Sequence, residues 1–229
     1  MDALQTMAQK IAWLERRIAT LETREHRSTF GRNVLGPVAY EHFRGIDAIP
    51  SGFAWDTTTF GQPSNIDYSQ ADDYGVFYDG ASPGFMRKVV STYLGRSVYA
   101  RCGAAEGGSA GLRIDDGTNN NYTELFVYVT SAGKDVIRLK YRTGGGAVST
   151  VDGPTVPGGQ FWSFRLLCAQ SGVNHQDYGY LVTENGFNSV PIGSTGSASA
   201  WAVTRVGLLT NRDALGGRCM FDWFYKTMA

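Results

Sequence analysis

Two periods of apolar and polar positions divide the chain. Near the start, apolar side chains recur at alternating spacings of three and four: Leu4, Met7, Ile11, Leu14, Ile18 and Leu21. This is the a/d seam of a heptad, and its narrow stripe predicts a helix that packs on partner helices rather than on a domain. The next two seam positions, Glu25 and Ser28, are polar, so the stripe stops there. The segment HRSTFGRNVLGPVAY over 26–40 has no period, carries Gly31, Gly36 and Pro37, and reads as a linker. Beyond it the period falls to two. Runs at 96–102, 121–129, 135–142, 161–169, 178–186, 203–210 and 219–227 predict strands. Glycine-rich clusters separate them and no helical pattern intervenes, so antiparallel sheets are expected. The organisation is a coiled-coil helix over 1–27, a linker over 28–40 and one β domain over 41–229.

The flanks of the seam carry orientation. Lys10, Arg17 and Arg24 occupy g positions, and Ala8, Glu15 and Glu22 occupy e positions. In a parallel coiled coil Lys10 meets Glu15 and Arg17 meets Glu22 of the neighbouring chain, whereas antiparallel pairing sets like charges together. Ile at a with Leu at d leans toward two strands on packing alone. Arg17-Ile18-Ala19-Thr20-Leu21-Glu22, however, resembles the short coiled-coil trimerisation motif Arg-hydrophobic-x-x-hydrophobic-Glu. Lys10 to Glu15 repeats it with Lys in place of Arg. The resemblance implies a parallel homotrimer held by Leu4, Met7, Ile11, Leu14, Arg17, Ile18, Leu21 and Glu22. A helix this short is marginal alone, so the β domains are expected to support it.

Composition narrows the partners. Acids and bases balance at 21 each, which excludes the basic footprint of a general nucleic-acid binder. Among 229 residues, 29 Gly, 12 Tyr and 12 Phe fit many short strands with Gly-rich turns. No run approaches the ~18 apolar residues of a membrane span, so no membrane insertion is expected. The N-terminus lacks the pattern of a secretory signal. Cys102, Cys168 and Cys219 lie far apart without metal-ligand or disulfide spacing, and each sits in an apolar run. They read as buried free thiols of a chain that folds in a reducing cytoplasm.

Three longer stretches resemble concanavalin A-like, laminin-G-like sandwiches. SAGLRIDDGTNNNYTELFVYV is similar to their middle hairpin, FWSFRLLC with YGYLVTENG to a later pair, and RVGLLTNRDALGGRCMFDWFYKT to the closing pair. What the resemblance implies is a mainly β, antiparallel jelly-roll sandwich behind the N-terminal coiled-coil helix.

Many sandwiches of that fold hydrolyse glycosides with a carboxylate pair. Retaining glucanases of the fold carry Glu-x-Asp-x-x-Glu or a close variant, and that spacing does not occur here. Glu106, Glu124 and Glu184 are solitary, and Asp115-Asp116-Gly117 reads as a hairpin turn, so no catalytic residue is assigned. His26, His42 and His175 lack ligand spacing and read as surface or loop histidines. No cofactor or metal is expected, calcium at the oxygen-rich DDGTNNN being the alternative to turn chemistry.

Alternation places Leu125, Val127 and Val129 inward, and Tyr122, Glu124, Phe126 and Tyr128 on the opposite, exposed face. The next strand points Ile137, Leu139 and Tyr141 inward and Arg138, Lys140 and Arg142 outward. Tyr122, Glu124, Tyr128, Arg138 and Lys140 are therefore the candidate glycan-binding residues, since aromatics beside charges suit sugar stacking. A trimeric coiled coil feeding a β-sandwich without a signal peptide resembles bacteriophage fibres, adhesins and decoration proteins. That resemblance implies a non-enzymatic virion protein that contacts other virion proteins and a host surface glycan. The alternative is a secreted lectin or a carbohydrate-active protein related to glycoside hydrolases.

Overall fold

The computed structural model describes residues 38–42, 49, 51–61, 65–67, 75–79, 84–91, 93–105, 107–129, 134–182, 189–210 and 217–227. The seam residues Leu4, Met7, Ile11, Leu14, Arg17, Ile18, Leu21 and Glu22 lie outside these. Residues 39–226 form one compact unit.

The described strands, in chain order, are β1 (Val38–His42), β2 (Ala54–Trp55), β3 (Asn65–Asp67), β4 (Gly75–Asp79) and β5 (Gly84–Val89). β6 (Arg96–Ala105), β7 (Ser109–Asp115), β8 (Tyr122–Val129), β9 (Lys134–Arg142) and β10 (Ser149–Pro157) follow. β11 (Trp162–Ser171), β12 (Asn174–Val182), β13 (Ser189–Ser194), β14 (Arg205–Thr210) and β15 (Gly217–Thr227) complete the order. They make two sheets. One runs β13-β12-β11-β6-β15-β4-β3, with β1 also on β15; the other runs β10-β9-β8-β7-β14-β5-β2. Strands that neighbour one another along both paths are antiparallel. The mainly β, antiparallel class read from the period-two runs is the observed one.

The core follows from alternation. On β11, Phe164, Leu166 and Cys168 are buried while Arg165 and Leu167 are half-buried on the other side. On the second sheet Leu112, Ile114, Leu125, Val127, Ile137, Leu139, Val206 and Leu208 supply the matching apolar layer. Phe221 and Phe224 on β15 fill the same core. Burying each such side chain contributes roughly 1.5–3 kcal/mol, an upper bound because unfolded chains already hide part of that surface. The cysteines are free and buried within this layer, as their apolar runs led one to expect.

Turns set the registers that matter below. Gly172 and Val173 join β11 to β12 with Ser171 opposite Asn174, and Gly172 has φ 63°. A positive φ at the first loop position gives the strand twist a tight hairpin needs, and glycine adopts it at little cost. The register then puts Cys168 opposite Asp177 and Gln170 opposite His175. His175 thereby opens β12 on the inward face and is only 1% exposed, which corrects its reading as a surface histidine.

The β7–β8 connection is the expected turn. Asp115 Oδ1 accepts from Gly117 N at 3.0 Å, and Asp116 Oδ1 accepts from Thr118 N at 2.9 Å. Asn121 closes the loop by donating to Asp116 Oδ2 at 2.6 Å. Asp116 titrates below the usual range: burial opposes this, but the Thr118 and Asn121 bonds prevail.

Candidate functional site

In an antiparallel sheet, residues directly opposite one another share a face. On the seven-stranded sheet this rule sets Arg113 of β7 opposite Glu124 of β8, and Glu124 opposite Lys140 of β9. One row away Arg205 of β14, Asp115 and Tyr122 align. These residues share the face that does not meet the other sheet.

That face is not open where the sequence placed the sugar. Tyr122 is 1% exposed, and Glu124 and Phe126 are fully buried. The cause is a buried ion cluster roofed by aromatic rings. Arg113, itself fully buried, donates from Nε to Asp115 Oδ2 at 2.8 Å and from Nη1 to Glu124 Oε1. Its guanidinium lies 4.3 Å from the Tyr122 ring centre, 4.7 Å from Phe60 and 5.5 Å from Phe85. Arg205 grips Asp115 with two nitrogens, at 2.5 and 2.9 Å, and Asp56 at 2.8 Å. Burial works to raise the Asp56 carboxyl, yet the Arg205 charge and the N–H groups of Thr58 and Thr59 hold it low. Two cations and three carboxylates are thus desolvated together, each oriented by charge-assisted hydrogen bonds.

The remaining candidates gather at the β8–β10 side of the same sheet and are half-buried. Arg138 donates to Asp152 Oδ1 at 2.6 Å and Oδ2 at 3.1 Å, and to the Tyr128 hydroxyl at 3.3 Å. Its guanidinium stacks 4.4 Å from the Tyr128 ring centre. The Asp152 bond raises the Arg138 pKa and lowers that of Asp152, which is half-exposed. Lys140 lies between this group and Glu124 in register. Arg142 donates to the carbonyls of Gly145 and Gly146, each at 2.8 Å, and of Asn119 at 3.1 Å. It thereby ties the two loops at that end together.

The five candidates therefore separate. Tyr122 and Glu124 belong to the buried cluster, while Tyr128, Arg138 and Lys140 stand on the accessible rim. Sequence reasoning missed Arg113, Arg205, Asp56 and Asp152, and it missed a second ladder on the eight-stranded sheet. There Arg165 stacks between Tyr180, at 5.3 Å, and Tyr99, at 5.8 Å. The register places the three directly abreast. The signal was present in the outward positions of FWSFRLLCA and YGYLVTENG.

The two-sheet antiparallel sandwich has solved counterparts. A GH43 protein from Bacillus licheniformis superposes with a TM-score of 0.56 at 16% identity, over 82% of this chain and 39% of that one. The chain thus spans about two fifths of that protein. Bacillus licheniformis β-glucanase gives 0.53 at 9% identity, over 85% of this chain and 99% of that one. The CBM2 module of an evolved Dit protein of Lactobacillus casei BL23 phage J-1 gives 0.54 at 13% identity, over 82% and 94%. At these identities the likeness is one of fold, and it agrees with the concanavalin A-like sandwich. No family model matches the chain, and no curated protein matches it in sequence.

Proposed function

We propose that this chain is a carbohydrate-binding β-sandwich without hydrolytic activity. The observation that carries the proposal is the division of the seven-stranded face. The carboxylates at its centre, Glu124 and Asp115, are buried and locked onto arginines. A general acid must reach the glycosidic oxygen and exchange its proton, and neither group is placed to do so. What remains accessible is a rigid platform of Tyr128, Arg138, Asp152 and Lys140. An aromatic ring beside fixed donors and acceptors suits a sugar, which offers apolar C–H faces and hydroxyls together.

The phage module of the same fold supports a carbohydrate-binding role for such a sandwich. We further infer that the chain is a homotrimeric bacteriophage virion protein, a fibre, adhesin or decoration protein, on the strength of the N-terminal heptads and charge pairs. The rival reading, a carbohydrate-active enzyme, draws on the glycoside hydrolases among the fold neighbours.

Binding to a panel of bacterial surface and plant polysaccharides separates these. Tyr128→Ala and Arg138→Ala are each expected to weaken binding about tenfold or more, the loss of one stacking or charge-assisted contact. Arg165→Ala on the other sheet should leave it unchanged. Unaltered binding in both rim variants would refute the platform. Release of reducing sugar that disappears in Glu124→Gln would establish the enzyme instead.

A further inference from the structure

Beneath the β11–β12 hairpin, three chemically different donors converge where no sequence spacing announced them. Cys168 Sγ, a ring nitrogen of His175 and a carboxylate oxygen of Asp177 lie within 4.8 Å of one another. All three residues are buried, at 0%, 1% and 1% exposure. Neither nitrogen of His175 has a hydrogen-bond partner, and neither does Asp177 Oδ1. Buried polar atoms are almost always satisfied, and leaving such a group unpaired costs roughly 1–3 kcal/mol. One His175 ring nitrogen and Asp177 Oδ1, both without a partner, converge with Cys168 Sγ, and that convergence requires an explanation.

We propose that Cys168, His175 and Asp177 bind a zinc ion inside the sandwich, with one tetrahedral position left for a small oxygen ligand. Thiolate, imidazole and carboxylate together select zinc over calcium or magnesium, which prefer oxygen alone. One of the three separations already matches what the ion demands. Zinc bonds of about 2.0–2.3 Å put tetrahedral ligand atoms about 3.3–3.7 Å apart. His175 Nε2 and Asp177 Oδ1 already stand 3.6 Å apart.

The supporting contacts orient the donors. Thr123 of β8 donates its hydroxyl to Asp177 Oδ2 at 2.5 Å, which leaves Oδ1 turned toward the site. Such an outer contact fixes the orientation of a ligating carboxylate. The His175 ring meets Trp201 edge-on at 4.5 Å between centres, and its backbone is held by two hydrogen bonds with Ser199.

Charge also balances. Binding releases the Cys168 thiol proton, together with the Asp177 carboxyl proton where it is held, to solvent, and the ring and Oδ1 coordinate through lone pairs, with no change of oxidation state. The dication with one thiolate and one carboxylate is neutral overall, so the core holds no net charge. This site shares no side chain with the sugar platform.

The experiment is metal analysis of the full chain from zinc-supplemented cultures, after removal of loosely held metal by a chelator wash and gel filtration. About one zinc per chain is expected. Cys168→Ser and His175→Ala should each reduce it at least tenfold, while Cys102→Ser with Cys219→Ser should retain it. Chain from cobalt-supplemented cultures should show a thiolate-to-cobalt charge-transfer band in the near ultraviolet. That measurement needs no variant and stands even where Cys168→Ser fails to fold. Folded parent chain without zinc and without the cobalt band would overturn the proposal, as would zinc undiminished in a folded Cys168→Ser variant.

Discussion

Replacing Arg113 with methionine tests the architecture of the seven-stranded face. The substitution keeps a long, flexible apolar stem and removes the guanidinium. Asp115 retains both Arg205 contacts. Glu124 loses its link to Arg113 while remaining fully buried. Removing one partner of a buried ion pair typically costs about 3–5 kcal/mol, because the other charge stays desolvated. The rings of Tyr122 and Phe60 lose their cation at the same time, while Phe85 keeps Arg205 at 5.7 Å. For a urea m-value near the upper end of about 1–3 kcal/mol per molar, the midpoint should fall by about 1–2 M.

The informative comparison is the double variant. Arg113→Met with Glu124→Met removes both charges and fills the space, and well-packed apolar replacements of buried pairs are often neutral. The double variant should therefore recover most of the loss, a coupling of about 2–3 kcal/mol between adjacent sites. Urea unfolding followed by tryptophan fluorescence and circular dichroism measures all four corners of the cycle. Losses that simply add would refute the argument. So would an Arg113→Met chain within about 1 kcal/mol of the parent, since a buried ion pair broken on one side cannot be that cheap.

Two further perturbations address other levels. Asp135 on β9 is buried, and burial raises its pKa from 3.8 to about 6 despite the Gly159 N–H. The folded state then holds this proton more tightly than the unfolded one, so the contribution is intact below about pH 4 and is lost as pH rises through about 6. Asp135→Asn should match the parent near pH 4 and exceed its stability at pH 7 by no more than about 2 kcal/mol after solvent screening; parallel stability profiles would sink this. Ile18→Asn sets a polar group in the centre of the proposed coiled-coil seam, which costs roughly 1–3 kcal/mol per chain where it is left unpaired. Light scattering should show the mass falling while the strand signal persists, and loss of both together would place the helix inside the domain core instead.

What was legible depended on where a strand sits. β6, β8, β9, β11, β12, β14 and β15 lie inside their sheets and carry the alternation that revealed them, whereas β4, β5 and β7, equally internal but shorter than most of these, were not read from it. β10, β13, β2 and β3 are the sheet edges. β10 reads Ser-Thr-Val-Asp-Gly-Pro-Thr-Val-Pro and buries only Val156. An edge strand carries glycine, proline and polar residues freely, because one side of its backbone has no partner. Its residues therefore looked like a turn cluster. The same limit explains Tyr122 and Glu124. Period two tells which side of β8 faces the other sheet, but not whether the second side meets solvent or a buried roof. Phe60 and Asp56, more than 50 residues earlier in the sequence, decide that, and no local pattern links them to β8.

β8 joins the two sites proposed above. Its inward Thr123 holds the Asp177 carboxylate, and the next residue, Glu124, turns outward to Arg113. Tyr128, four residues further along that outward face, carries the stacked Arg138. A strand anchored on both sides cannot slide by one residue, because that slip would exchange Thr123 for Glu124 and place a carboxylate against Asp177. The buried charges therefore fix the register that presents Tyr128 to a ligand, although none of them touches it. Binding lost in Arg113→Met would for this reason track stability and be regained in the double variant. Binding lost in Arg138→Ala would not be regained by any change that stabilises the fold. That difference separates a residue that meets the sugar from one that holds the strand in place.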